Sequence, residues 1–390
     1  MEKKTKIIIL FVAILIVGLG GYFFLKKKTA SVAKKQIDLN QKIDTSTPRN
    51  PENVSYLSGL PCENNKGRAV AVMQPSDVTA RPAAGFSQAD MVFEMPAYTS
   101  SVTRLMGVYV CNIPDIGAIR SSRHDYIALA KGLDAVFIHW GGSHFALDLL
   151  KGNVIDHVDC LSYEGKYCSR WDWKNDPVMR MEDSGHITKD GVTNAIKDLK
   201  FRAENTFVGY PHQDDAPLDQ RPAGGHLRVA FANPYDATYD YDKETNSYLR
   251  FWNDKADTDR NNKQRLAPKN VVVLFAKSEQ ITNTQDYIGQ GLQDPWKNVE
   301  EIKKTGVESI SGRYNNVQIG DPWYDASDSG DAYYYMNGEE LKGTWKKDRA
   351  KLDSKLFFYD ASGQEVRFVP GQIWVEILEP GQNLKWEVTN

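Results

Sequence analysis

Apolar positions fall along this chain in three textures, each predicting a different kind of element. Residues 7–25 read IIILFVAILIVGLGGYFFL, an uncharged run bounded by Lys6 and by Lys26-Lys27-Lys28. A helix of that length rises roughly 30 Å, about one hydrocarbon core, so the run predicts a single transmembrane helix. A cleaved export signal carries a shorter apolar region with small residues close behind it. Here three lysines precede Ala30-Ser31-Val32-Ala33, and no cysteine near the run offers a lipid attachment point, so an uncleaved anchor is expected. Residues 1–6 are then a short tail. Residues 26–55, rich in Lys, Asn, Asp, Ser, Thr and Pro without a sustained apolar period, read as a flexible tether.

The second texture covers residues 56–225. Short buried-looking runs at 68–73, 91–94, 105–111 and 135–140 predict strands. Helical spacing appears at 122–132, after Ser143, and at 189–200, where Val192, Ala195, Ile196 and Leu199 share one face. Strands alternating with helices predict an α/β domain. Beyond a stretch rich in Pro, Asp and Gly at 211–225 comes the third texture, residues 226–390. It is strand-like at 228–231, 235–241, 247–252, 270–276, 317–320, 332–336, 341–346, 357–359, 365–369 and 373–378. Asn337-Gly338 and Ser362-Gly363 sit between such runs as two-residue hairpin turns require. The expected fold class is an α/β N-terminal globular domain plus a mostly antiparallel β (α+β) C-terminal domain, preceded by one transmembrane helix.

Charge narrows the function classes. With 48 Lys+Arg against 51 Asp+Glu, a net −3, the chain is not polycationic and no nucleic-acid partner is expected. Lysines flank the apolar run on both sides, and counting positive charge alone favours a cytoplasmic body. A short basic start followed by an apolar run is nevertheless how exported chains begin. We therefore expect a single-pass cell-membrane protein with its globular part extracytoplasmic. Cys62, Cys111, Cys160 and Cys168 show no Cys-x-x-Cys pair and no histidine at finger spacing, so no metal site is expected. Cys160 and Cys168 are near enough for a short disulfide loop in an oxidising compartment; four free thiols stand as the equal alternative.

The balanced total conceals a local arginine cluster. Arg104 follows Thr103, Arg120 and Arg123 flank Ser121-Ser122 at the predicted start of a helix, and His139 leads into Trp140-Gly141-Gly142-Ser143-His144. Guanidinium groups beside open N–H groups at the positive end of a helix suit a phosphate or carboxylate. Two glycines that let backbone approach a ligand, with Ser143 as a helix cap, make a second anion-receptive turn after a strand, where ligands bind in open α/β sheets. The expected ligand-binding set is Arg104, Arg120, Ser122, Arg123, His139, Gly141, Gly142, Ser143 and His144. Its expected partner is an anionic cell-wall or small-molecule ligand.

Each residue alone has a structural alternative. The arginines could pair with Asp90, Glu94 or Asp125, Gly-Gly-Ser could be a tight connection, and His139 could be a core histidine. Their joint occurrence is what points to a site. An enzyme would use His139 as general base with Glu94 or His186 as its partner. A protein–protein scaffold working through the β-rich part is the third class. Hydrolase-elbow, phosphate-loop, dinucleotide and zinc-protease motifs are absent, so no cofactor is expected. The acidic stretch 321–331 lacks calcium-hand spacing and reads as a solvated loop. Trp323, Trp345 and Trp374 read as core residues ahead of a sugar-stacking surface.

An ordered set of short segments adds to this. Leu57-Ser58-Gly59-Leu60-Pro61, Ala69-Val70-Ala71-Val72-Met73, Ala80-Arg81-Pro82 with Gly85, and Ser87-Gln88-Ala89-Asp90 leading to Glu94 come first. Thr103-Arg104-Leu105-Met106, Ile116-Gly117-Ala118-Ile119-Arg120-Ser121-Ser122-Arg123, and Asp134-Ala135 leading to His139 and Gly141-Gly142-Ser143 follow. His186-Ile187-Thr188, Lys269-Asn270-Val271-Val272-Val273 and Gly343-Thr344-Trp345 complete the series. Together, over about residues 57–380, they resemble the YerB-like family of bacterial envelope lipoproteins, domains of unknown function with N- and C-terminal parts. The resemblance implies a bacterial, membrane-attached, extracytoplasmic protein of α/β plus β-rich construction, and supplies no activity. This chain departs from the family where a transmembrane run replaces the lipidated cysteine. It departs again where Gln74-Pro75 follows Met73 in place of an acidic or amide pair.

Overall fold

Ile373–Leu378 reads IWVEIL with every side chain buried, and it runs through the middle of a ten-stranded mixed sheet. From edge to edge the strands are Phe357–Asp360, Glu339–Lys346, Ser329–Met336, Asn270–Phe275, Ile373–Leu378, Met91–Pro96, Thr103–Tyr109, Val70–Pro75, Val136–His139 and His157–Asp159. The computed structural model describes residues 53–97, 102–280, 315–317, 319 and 328–389. The expected tail, anchor and nearly all of the tether lie outside the described residues, as do Trp323 and most of the acidic stretch. No helix among the described residues is long and apolar enough to cross a membrane.

Ile373–Leu378 is parallel to both its neighbours, Asn270–Phe275 and Met91–Pro96. Val136–His139 is likewise parallel to Val70–Pro75 and His157–Asp159. Strands buried on both faces read as continuous apolar runs, which is why IWVEIL and NVVVLF occupy the centre. The second region pairs mostly antiparallel, as expected, but it is not a separate β layer: the two regions share this sheet through the parallel pairing of Ile373–Leu378 with Met91–Pro96. Local periodicity says that a segment is a strand; long-range pairing decides which sheet it joins.

Alternation along these strands divides the core. Met73, Phe93, Met106, Val272 and Val375 point to the face covered by the helices His124–Gly132 and His144–Lys151. Val72, Val92, Leu105, Val273 and Trp374 point to the other face. There they meet Leu227, Val229, Tyr239 and Tyr248 of a second sheet. That sheet is antiparallel, in the order Lys255–Ala256, Ser247–Trp252, Ala237–Asp242, Gly224–Ala230, Asn383–Thr389. Its Gly224–Ala230 strand starts just ahead of the boundary expected at 225.

Asn337 and Gly338 both have positive φ, 54° and 76°, as a tight hairpin turn demands. Residues 365–369 form only the isolated bridges His212–Phe368 and Tyr359–Glu365, in place of the expected strand. A small third sheet joins Ile116–Gly117, Gly185–Ile187 and Cys168–Arg170. Both cysteine pairs are closed, Cys62–Cys111 and Cys160–Cys168, so the free-thiol alternative is set aside. Trp345 and Trp374 are core residues with no exposed surface.

Candidate functional site

Val70–Pro75, Met91–Pro96 and Val136–His139 end on the same side of the sheet, and Arg104 stands there, in register with Pro75 and Met95. Its Nη1 donates to Asp77 Oδ2 at 3.2 Å. Arg120 arrives from another loop, pinned by its N–H to the Met73 carbonyl at 2.8 Å and by the Trp140 N–H to its own carbonyl at 3.0 Å. Arg120 Nη2 lies 3.8 Å from the same Asp77 oxygen and 3.0 Å from Asp183 Oδ1. The Tyr235 hydroxyl reaches toward Asp77 Oδ1 at 3.5 Å, and burial, reinforced by Asp77, raises its pKa so that it keeps its proton. The result is a line of alternating charge, Arg104, Asp77, Arg120, Asp183, at the carboxyl ends of strands. Asp77 and Arg120 retain 28% and 21% side-chain exposure, whereas Asp183 has none. Neither Asp183 oxygen accepts a hydrogen bond among the described residues.

The Gly-Gly-Ser turn receives an anion, but the protein's own. Gly141, with φ +62°, donates its N–H to Asp159 Oδ1 at 2.8 Å, and Leu161 donates to the same oxygen at 3.0 Å. The turn is therefore not the open ligand cradle expected. Ser143 does cap its helix, its Oγ accepting from the Ala146 N–H at 3.2 Å. Ser122 and Gly142 form a parallel bridge, so both serve the connection between loops. The helix His124–Gly132 has Arg123 at the cap position and no side-chain cap bond, so Ser122 is not the expected cap. Arg123 Nη1 donates to the Ser122 carbonyl at 3.0 Å. His144 opens the helix His144–Lys151; its side chain lies outside the described ones.

The expected catalytic pairing is not assembled. His139 is fully buried and stacked against both Phe137 and His157. Its Nδ1 is 2.8 Å from the Gly141 carbonyl and its Nε2 is 3.0 Å from His157 Nδ1. A carbonyl only accepts, so Nδ1 carries the proton and Nε2 accepts from His157. Burial pushes the His139 pKa down to about 4, which keeps the ring neutral. A neutral ring with both nitrogens engaged is a core histidine, not a base open to substrate. Glu94 is also fully buried, accepting from Thr103 Oγ1 and from the Arg250 guanidinium, and burial raises its pKa. His186 stacks on Trp171 at 4.8 Å and bonds Ser169 Oγ through Nε2 at 3.0 Å.

Asp77, Asp183 and Tyr235 carried no signal in periodicity or motifs: Asp77 and Tyr235 lie in separate loops and Asp183 ends the 3-10 turn Met181–Asp183. Nor did periodicity or motifs signal a buried charge cluster between the two sheets. Glu94 and Glu376 stand directly opposite each other on neighbouring strands. Arg250 Nη2 binds Glu94 and lies 3.8 Å from Glu376, and its Nη1 binds Asp257. Asp257 in turn takes both oxygens to Arg81 Nη1 at 2.7 Å. Burial, then the Glu94 charge, pushes the Glu376 carboxyl up to about 8, and Tyr239 donates its hydroxyl to it.

Fold and cluster together define a layered, strand-rich protein on a mixed sheet, with a polar charge ladder at the carboxyl ends of its strands. The chain belongs to the family described as protein of unknown function DUF3048: the N-terminal domain model matches residues 57–198 and the C-terminal domain model residues 227–375. A Bacillus subtilis (strain 168) relative described as "Putative lipoprotein YerB" is 24% identical over 328 residues, 83% of this chain and 85% of the relative. The crystal structure of the YerB protein from Bacillus subtilis matches with a TM-score of 0.65 at 21% identity, over 85% of this chain and 99% of that one. This chain thus shares its fold with that YerB protein.

Proposed function

We propose that this is a membrane-anchored, extracytoplasmic binding protein of the bacterial envelope, which takes the anionic group of an envelope-related ligand at Arg104 and Arg120. The observation that carries the proposal is the convergence of these two guanidinium groups on one carboxylate, Asp77, at the carboxyl ends of the strands. Asp77 stands where a ligand's carboxylate or phosphate would, and planar guanidinium groups suit either. Two disulfides accord with an oxidising compartment. The lipoprotein description of the Bacillus subtilis relative supports an envelope location, with the apolar run 7–25 serving as the anchor here.

Equilibrium binding of the full chain to isolated wall polymers tests the assignment. The double change Arg104→Ala, Arg120→Ala should weaken binding at least about ten-fold, the loss of two charge-assisted contacts. Unchanged binding removes these arginines from the site. Protease added outside intact protoplasts should degrade the body; full protection places it in the cytoplasm and sinks the localisation.

A further inference from the structure

The charge ladder says more about the ligand than that it is anionic. Two guanidinium groups face two carboxylates, so the quartet carries no net charge. A simple anion would enter by displacing Asp77 and would then lie beside that carboxylate and beside Asp183, which repel it. Asp183 cannot withdraw, because it is fully buried behind Arg120. Its two oxygens accept no hydrogen bond among the described residues, whereas buried carboxylates normally collect donors.

We propose that the ligand is zwitterionic, carrying an ammonium group together with its carboxylate or phosphate. The inference rests on the anion reading above and names the ligand's second group. On binding, Arg120 turns from Asp183 to the ligand's anion, and the ammonium, with three donors, takes its place at Asp183. Asp77, released from Arg104, is a second acceptor for that ammonium. Every charge in the quartet keeps an opposite partner through this exchange, which a purely anionic ligand does not allow. An amino-terminated peptide and an aminated phosphate polymer both carry this chemistry.

Matched probes separate the ideas on the full chain in neutral detergent. Alanyl-alanine is compared by calorimetry with N-acetyl-alanyl-alanine, and phosphoethanolamine with inorganic phosphate. The aminated member of at least one pair should bind ten-fold or more tightly than its partner, the peptide pair or the phosphate pair identifying the source. In Asp183→Asn that preference should fall to within three-fold. Asp77→Asn, at a half-exposed position, should narrow it if Asp183→Asn does not fold. If N-acetyl-alanyl-alanine and phosphate bind as tightly as the aminated probes, the zwitterion is wrong and the anion reading stands. If no probe binds, both are rejected.

Discussion

Glu94 and Glu376 face each other across adjacent parallel strands with the Arg250 guanidinium beside both. Like charges opposite one another on a buried face are unfavourable, and a single cation cannot fully serve two carboxylates in a dry interior. Glu376 resolves the conflict by keeping its proton up to about 8, through burial first and the Glu94 charge second. Its raised pKa gives a contribution to stability that is complete below the ordinary value of 4.5 and is lost as pH rises through about 8. Urea unfolding between about pH 5 and about pH 9 should record that decline, roughly 2 kcal/mol or more. Glu376→Gln, neutral throughout, should flatten it; an equally steep decline in the variant clears Glu376 as the cause. Glu94 was visible in the sequence as a polar residue in a strand, but Arg250 lies 156 positions away, and nothing local to either residue encodes the pair.

Helices and central strands were legible because their signals are local. The Ser143 cap, the face of Lys189–Asp198 and the Asn337-Gly338 turn each act within a few residues. Edge elements were less legible. Asn383–Thr389 alternates polar with apolar residues at the rim of the second sheet, and residues 365–369 look strand-like yet lack a continuous partner. Gly343, within a segment that resembles the family, shows a constraint at this scale. It pairs with Asp360, and a Cβ there would overlap the Tyr359 carbonyl oxygen. Gly343→Ala should therefore push Phe357–Asp360 off the sheet edge, costing about 2 kcal/mol or more. Amide exchange at residues 357–360 should quicken; undisturbed protection there removes close approach as the reason for glycine.

At the scale of the molecule, the two matched regions hold one sheet between them. A fragment of residues 56–225 would leave the apolar Met91–Pro96 strand without its partner Ile373–Leu378. An open, apolar strand edge promotes association. Expressed alone, that fragment should aggregate, and co-expression with 226–390 should restore a soluble complex; a soluble, folded, monomeric 56–225 would overturn this. The family was legible in the ordered segments that carry the resemblance, and most strands and helices in periodicity and capping, which act over short spans; the arginines of the candidate site stood out as a local cluster. Tertiary packing brings the two regions into one sheet, buries His139 in the core and fills the Gly-Gly-Ser turn with Asp159. It alone set Asp77 and Asp183 against Arg104 and Arg120. Strand partners and ion pairs are chosen by contacts between residues far apart in the chain, where burial and charge select among alternatives that no local pattern distinguishes.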